Sequence, residues 1–164
     1  MGAKSPLVLD YNELIKYFVY DYTSGIIWRK INASNVKAGT RADKPRKDKY
    51  STIRFNKKKV SAARVAWTMF TGKNPNGEID HIDGNPSNNK IENLRDVTKS
   101  QNAMNKKQSW GVSRCTDCKV ERYAARIKVN GKDINLGRYD TEAEAREAYL
   151  AGLEEYHGEY RRRI

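Results

Sequence analysis

Apolar positions recur along the first hundred residues at two different spacings, and polar stretches divide them into short elements. Leu9, Leu14, Ile15 and Phe18 fall near helical spacing with Asp10 as the N-cap, which predicts a helix over residues 9–19. Tyr22-Thr23-Ser24-Gly25 reads as a turn, and Ile26-Ile27-Trp28 as a short strand. Residues 30–50 hold almost no large apolar side chain. They read as a basic loop carrying Lys37, Arg41, Lys44, Arg46, Lys47 and Lys49. Ile53, Phe55 and Val60 around Asn56-Lys57-Lys58 predict a hairpin, and Ala62 to Phe70 an apolar helix closed by Gly72. Residues 74–93 are dense in Asn, Gly, Pro and Asp, which is turn chemistry, and a short helix follows from about Lys99 to Lys106.

Beyond Trp110 the period becomes two. Val112, then Tyr123, Ala125, Ile127 and Val129, then Ile134 and Leu136 alternate with polar residues, and Asn130-Gly131 is a strong hairpin turn. After Asp140-Thr141, Ala145, Ala148, Tyr149 and Tyr156 predict one face of a helix ending near Gly158. Lys106 to Ser109 read as a linker. The expected organisation is α+β, with one module over 1–108 and a second over 109–164, the latter three antiparallel strands and a helix.

Charge sharpens this picture. In 164 residues Lys and Arg number 32 against 20 Asp and Glu, a formal excess of +12. Such an excess concentrates polyanions, and nucleic acid is the natural partner because each neutralised phosphate releases counterions. No apolar run suits a membrane span and no leader pattern opens the chain, so a soluble cytoplasmic protein is expected. The opening Met1 to Pro6 reads as an unstructured start. Only Cys115 and Cys118 are present, which gives no disulfide framework and supplies two of the four ligands a zinc ion needs. They read as turn cysteines, His157 as structural, and Arg161-Arg162-Arg163 as a solvated or phosphate-touching tail rather than an address signal.

Candidate chemistry lies in Glu78-Ile79-Asp80-His81-Ile82-Asp83-Gly84-Asn85 and continues through Asn88-Asn89, Glu92-Asn93-Leu94-Arg95 and Thr98 to Gln101-Asn102. Hydrolysing a phosphodiester requires a base for water, and histidine titrates in the right range. It also requires charge relief on the phosphate and the leaving oxygen, which a cation held by hard oxygen ligands supplies. Asp80 offers a carboxylate beside His81; Asn93 and Asn102 offer amide oxygens. The bland reading of the same stretch is a solvated Asn/Gly loop with a surface Asp-His pair. An EF-hand fails on ligand spacing and on the missing closing glutamate.

The pattern Asp-His, Gly-Asn with Asn pairs, Asn-Leu-Arg and Gln-Asn resembles the HNH endonucleases, in the branch of phage and intron-encoded homing or nicking enzymes. Tyr22 to Trp28, Tyr50 to Phe55, and Ala63-Arg64-Val65-Ala66-Trp67 leading to Thr71-Gly72 extend the resemblance over most of residues 10–105. It implies a ββα-metal (His-Me finger) module that cuts double-stranded DNA with Mg2+ or Mn2+. By position, Asp80 and Asn102 resemble the metal ligands, His81 the general base and Asn93 the residue orienting it. Where the family often has His-Arg this chain has Ala63-Arg64. That leaves open a catalytically weak DNA-binding regulator on the same scaffold.

Residues 110–160 resemble an AP2 domain, on Gly111-Val112, Tyr123 to Ile127, Asn130-Gly131-Lys132, Leu136 to Thr141, Glu144-Ala145, Ala148-Tyr149 and His157-Gly158-Glu159. The family commonly has tryptophan where this chain has Tyr123. The resemblance implies a sheet laid into the DNA major groove. Arg122, Arg126 and Lys128 share one strand face by even spacing. With Tyr123, Arg114, Lys132 and Arg138 they form the expected DNA contacts, joined in the first module by Arg64. An RNA-directed protein is a weaker alternative, because A-form RNA hides its major groove. A monomer is expected.

Overall fold

Asp10 caps the first helix, α1 (Tyr11–Tyr17), by accepting the Asn12 N–H at 2.8 Å. The helix stops short of the predicted residue 19, because Phe18 opens β1 (Phe18–Asp21), which pairs antiparallel with β2 (Ile26–Arg29). Phe18, Val19 and Tyr20 are aromatic or β-branched and sit well on a pleated ribbon once a partner strand exists. In the turn between them the Asp21 carboxylate accepts both hydroxyls, Thr23 at 2.7 Å and Ser24 at 2.6 Å. The bonds from Ser24 and then Thr23 hold that carboxyl down to about 2.

This computed structural model describes residues 8–32, 36–44, 50–105, 111–115 and 121–161. The chain divides into two compact units, Met1–Asp96 and Val97–Ile164. The sequence places the junction at 108/109, whereas compactness groups the helix after Thr98 with the second unit. The unstructured start, the loop residues Arg46, Lys47 and Lys49, the expected linker from Lys106, Cys118 and the last two arginines lie outside the described residues.

In the first unit a second hairpin joins β3 (Thr52–Phe55) to β4 (Lys58–Ser61) through Asn56 and Lys57, both left-handed at φ 45 and 63. Ile53 and Val60 face each other across it, both buried. Helix α2 (Ala62–Thr71) follows and ends on Gly72 in the left-handed region. Strand β5 (Glu78–His81) then pairs with β6 (Leu94–Val97), and a 3-10 turn over Ile91–Asn93 leads into β6. One core gathers Leu14, Phe18, Ile27, Ile53, Val65 and Leu94. Part of the expected basic loop also joins it. Ala42 and Asp43 are buried, Arg41 bridges to Trp28, and Lys44 to Thr52. The Asp43 carboxylate is balanced by Arg41 at 2.8 Å and by the Ile27 N–H at 3.3 Å, a pairing that residue composition does not reveal.

The second unit opens with α3 (Lys99–Met104) behind a Thr98/Gln101 capping box. Ser100 donates to the Asn130 side-chain oxygen at 2.6 Å, which ties α3 to the hairpin beyond. Strands β7 (Val112–Arg114), β8 (Tyr123–Val129) and β9 (Lys132–Tyr139) form an antiparallel sheet in that order. Asn130 and Gly131 turn between β8 and β9 at φ 50 and 81, as predicted. Ala125 faces Gly137 while Arg126 faces Asn135, so Leu136 is an extra residue in β9, beside Gly137 at φ 135. Helix α4 (Glu142–His157), opened by a Thr141/Glu144 capping box, packs Ala145, Tyr149 and Leu153 on Ala125 and Ile127. Tyr156, expected on that face, is 37% exposed, because the buried stripe continues through Gly152, Leu153 and His157 instead. Among the described residues no helix is long and apolar enough to cross a membrane.

Candidate active site

Strand β5 ends on Asp80 and His81, each only 6% exposed. Neighbouring strand residues point to opposite faces, so the two meet different partners. From β6, Arg95 donates to Asp80 Oδ2 through Nε at 2.9 Å and Nη2 at 2.8 Å. From the connecting loop, the Asn89 side-chain oxygen lies 3.0 Å from His81 Nε2. An amide oxygen only accepts, so Nε2 carries a proton and is the donor in this contact. The Tyr50 ring stands edge-on to the imidazole, with centroids 6.4 Å apart.

Asp83 organises the loop that carries these groups. Its carboxylate accepts from the Asn85 N–H at 2.7 Å, the Asn88 side chain at 2.8 Å and the Asn93 side chain at 3.0 Å. Partial burial pushes the Asp83 carboxyl up. The bonds from Asn88, Asn85 and Asn93, together with the nearby His81 ring, outweigh that effect and hold it below its ordinary value. Gly84 takes the left-handed conformation, φ 67, that the tight return over His81 requires.

Asn93, expected to orient His81, makes its side-chain hydrogen bonds within the loop. Its Oδ1 accepts the Asp83 N–H at 3.0 Å, and its Nδ2 donates to Asp83 and to the Asn88 carbonyl at 2.8 Å. Asn93 thus closes the loop, and Asn89 is the amide that meets the histidine ring. Asn89 is 1% exposed and is braced from behind. Tyr20 donates to its carbonyl at 2.7 Å, and a Cβ on Gly25 would lie 2.5 Å from Lys90 N and 2.7 Å from Asn89 C. Burial, then Asp21, raises the Tyr20 hydroxyl well above its ordinary value, so it is a donor at every working pH. Among the described residues the buried Asn89 Nδ2 finds no hydrogen-bond partner. Composition marks Asn88-Asn89 only as a pair; choosing the one that meets a ring requires the closed loop.

Arg64, expected at DNA, makes internal hydrogen bonds. Its two terminal nitrogens donate to the Gly77 and Pro75 carbonyls at 3.1 Å each, and Asp96 accepts the Asn76 and Gly77 N–H groups from the other side. Together they fix the turn entering β5. Ala63 is buried in the core of the first unit. Asn102 lies on α3 in the second unit, its N–H on the Thr98 carbonyl at 2.9 Å.

Among the described residues no three His, Cys, Asp or Glu side chains gather around a common point. The donor chemistry nonetheless suits a hard cation. Mg2+ is commonly held by one or two carboxylates, with substrate phosphate and water completing the shell. Asp80 is such a carboxylate, buried at the end of β5 and gripped on Oδ2 by Arg95.

On the second unit the register separates the expected DNA contacts. Arg126 and Lys128 are exposed on the face away from α4, and Arg138 joins them opposite Ala124. Arg122 precedes β8 and pairs with Asp140 at 3.3 Å; Lys128 lies 3.8 Å from Asp133. Tyr123 does not project outward: it packs on the core of this unit, with its hydroxyl on Glu121 at 3.0 Å. Arg114 lies opposite Tyr123, and Lys132 opposite Val129, so both have the parity of the helix-facing side, at its edges. Arg114 pairs there with Glu121. The contrast arises because a strand has two faces, and only residues an even number apart share one.

Residues 60–104 match the family model described as HNH endonuclease, a span running from β4 through α3. An uncharacterized HNH endonuclease of Acanthamoeba polyphaga mimivirus is 31% identical over 110 residues, which cover 66% of this chain. The alignment spans 59% of that relative's length. No solved structure matches the chain. The span 60–104 is therefore similar to HNH endonucleases.

Proposed function

We propose that this protein is a metal-dependent endonuclease that hydrolyses DNA phosphodiester bonds, of the homing or nicking kind. The observation that carries the reading is the buried His81 ring, bonded through Nε2 to Asn89, beside the Asp80 carboxylate within the family-matching span. With its proton on Nε2, His81 takes a proton from water at Nδ1, and Asn89 stabilises the imidazolium that results. Asn93 and Asp83 keep the loop closed so that the ring holds one orientation.

Asp80, with Asn102 from the resemblance, would hold Mg2+ or Mn2+, whose chemistry is to withdraw charge from the phosphate and the leaving oxygen. The second unit, read as an AP2-like module, holds duplex DNA against the outward face bearing Arg122, Arg126, Lys128 and Arg138. Three strands backed by one helix, with cations on the open face, support that reading.

A plasmid assay tests it. Supercoiled plasmid is nicked or linearised with Mg2+ or Mn2+, EDTA stops the reaction, and His81→Ala abolishes cleavage while gel-shift binding persists. Binding without metal-dependent strand breakage would identify a DNA-binding regulator instead.

A further inference from the structure

We propose that Arg95 is the resident counter-cation of Asp80 and restrains the binding of a divalent ion to that carboxylate. The inference rests on the reading of Asp80 as a metal ligand. Arg95 places two N–H groups on one oxygen, at 2.9 and 2.8 Å, and the paired side chains are 16% and 7% exposed. Charges so far removed from solvent act on each other with little screening.

Arginine stays protonated throughout the working pH range, so it cannot step aside by losing a proton as a lysine or histidine can. A dication approaching Asp80 therefore meets a fixed positive charge within a few ångströms of its ligand. The opposite effect also operates, since the two-point grip holds the carboxylate in one rotamer and spares the ion the cost of ordering it. Ordering one short side chain is worth only a few-fold in affinity, whereas repulsion at this range is larger. The net action of Arg95 is to weaken metal binding, so the DNA-free protein loads its ion poorly.

The test measures Mn2+ binding to the DNA-free full chain by the loss of the free-ion electron paramagnetic signal. Wild type is compared with Arg95→Met, Arg95→Lys and Asp80→Asn, each first checked by circular dichroism. Arg95→Gln replaces the methionine variant if that one loses the wild-type spectrum. Arg95→Met is expected to bind Mn2+ roughly tenfold tighter than wild type. Arg95→Lys, which keeps the charge, stays within about threefold of wild type, and Asp80→Asn binds weakly. Equal or weaker binding by Arg95→Met, with Asp80→Asn still impaired, overturns the inference and leaves Asp80 as a ligand. Undiminished binding by Asp80→Asn overturns the ligand reading, and the inference with it.

Discussion

The Asn89 side-chain oxygen sits 3.0 Å from His81 Nε2, and the same residue's backbone carbonyl holds the Tyr20 hydroxyl at 2.7 Å. One buried asparagine therefore links the N-terminal hairpin to the imidazole. Asn89→Leu fills similar space but cannot accept a hydrogen bond from Nε2. We expect cleavage to fall about 10–100-fold, the cost typical of removing the partner that orients a functional histidine. Long-range 1H–15N spectra of the wild type should show the Nε2–H form of His81. A predominantly Nδ1–H ring would remove Asn89 from this role.

Gly25 supports the same loop by having no side chain. At φ 75, with Lys90 N 2.5 Å from where a Cβ would lie, it permits an approach that alanine does not. Gly25→Ala should cost about 1–3 kcal/mol from backbone strain alone. It should also reduce cleavage by displacing Asn89. Thermal denaturation and the plasmid assay check the two effects separately, and an unchanged melting temperature would show that the hairpin and loop are not in such close contact.

Asp83 gives the loop an acid limit. Its carboxyl lies below the ordinary aspartate value of 3.8 in the folded protein. Its contribution to stability is complete well above that value and is lost as pH falls through the lower folded one. Side-chain amide resonances of Asn88 and Asn93 should therefore shift together in strong acid. Asp83→Asn should abolish this shift and weaken the loop at neutral pH. Unlinked amide shifts would mean that the carboxylate does not organise the loop.

The outward sheet face makes a graded prediction. Replacing Arg126 and Lys128 together by alanine should weaken duplex binding. The slope of log affinity against log salt should fall by about one for each phosphate that these two side chains neutralise. Arg64→Ala should lower stability and leave that slope unchanged, because its guanidinium is occupied by the Pro75 and Gly77 carbonyls. A salt slope altered by Arg64→Ala would return it to the interface.

What local chemistry decides was legible in the chain. The Asn130-Gly131 turn, the Gly72 stop and the start of α4 at Thr141 each follow from a few neighbouring residues. What depends on distant pairing was not. Phe18 and Val19 continue a helical spacing yet become strand, because β2 lies alongside. Ala42 and Asp43 sit in a polar stretch yet are buried, through Arg41 and the Ile27 N–H. Within the site, the motif singled out Asp80 and His81. Which asparagine reaches the ring, and which arginine grips the carboxylate, depended on how a loop and a neighbouring strand close in three dimensions.

The family-matching span begins at residue 60, yet the groups that brace Asn89 lie at Tyr20 and Gly25, and the interior beneath Leu94 is filled by Leu14, Phe18 and Ile27. The loop that carries His81 and Asn89 is therefore not portable. Transplanted alone into another scaffold, it would arrive with an unsupported histidine and an open apolar floor, so a shortened form of this chain that keeps the loop has to carry the N-terminal hairpin with it.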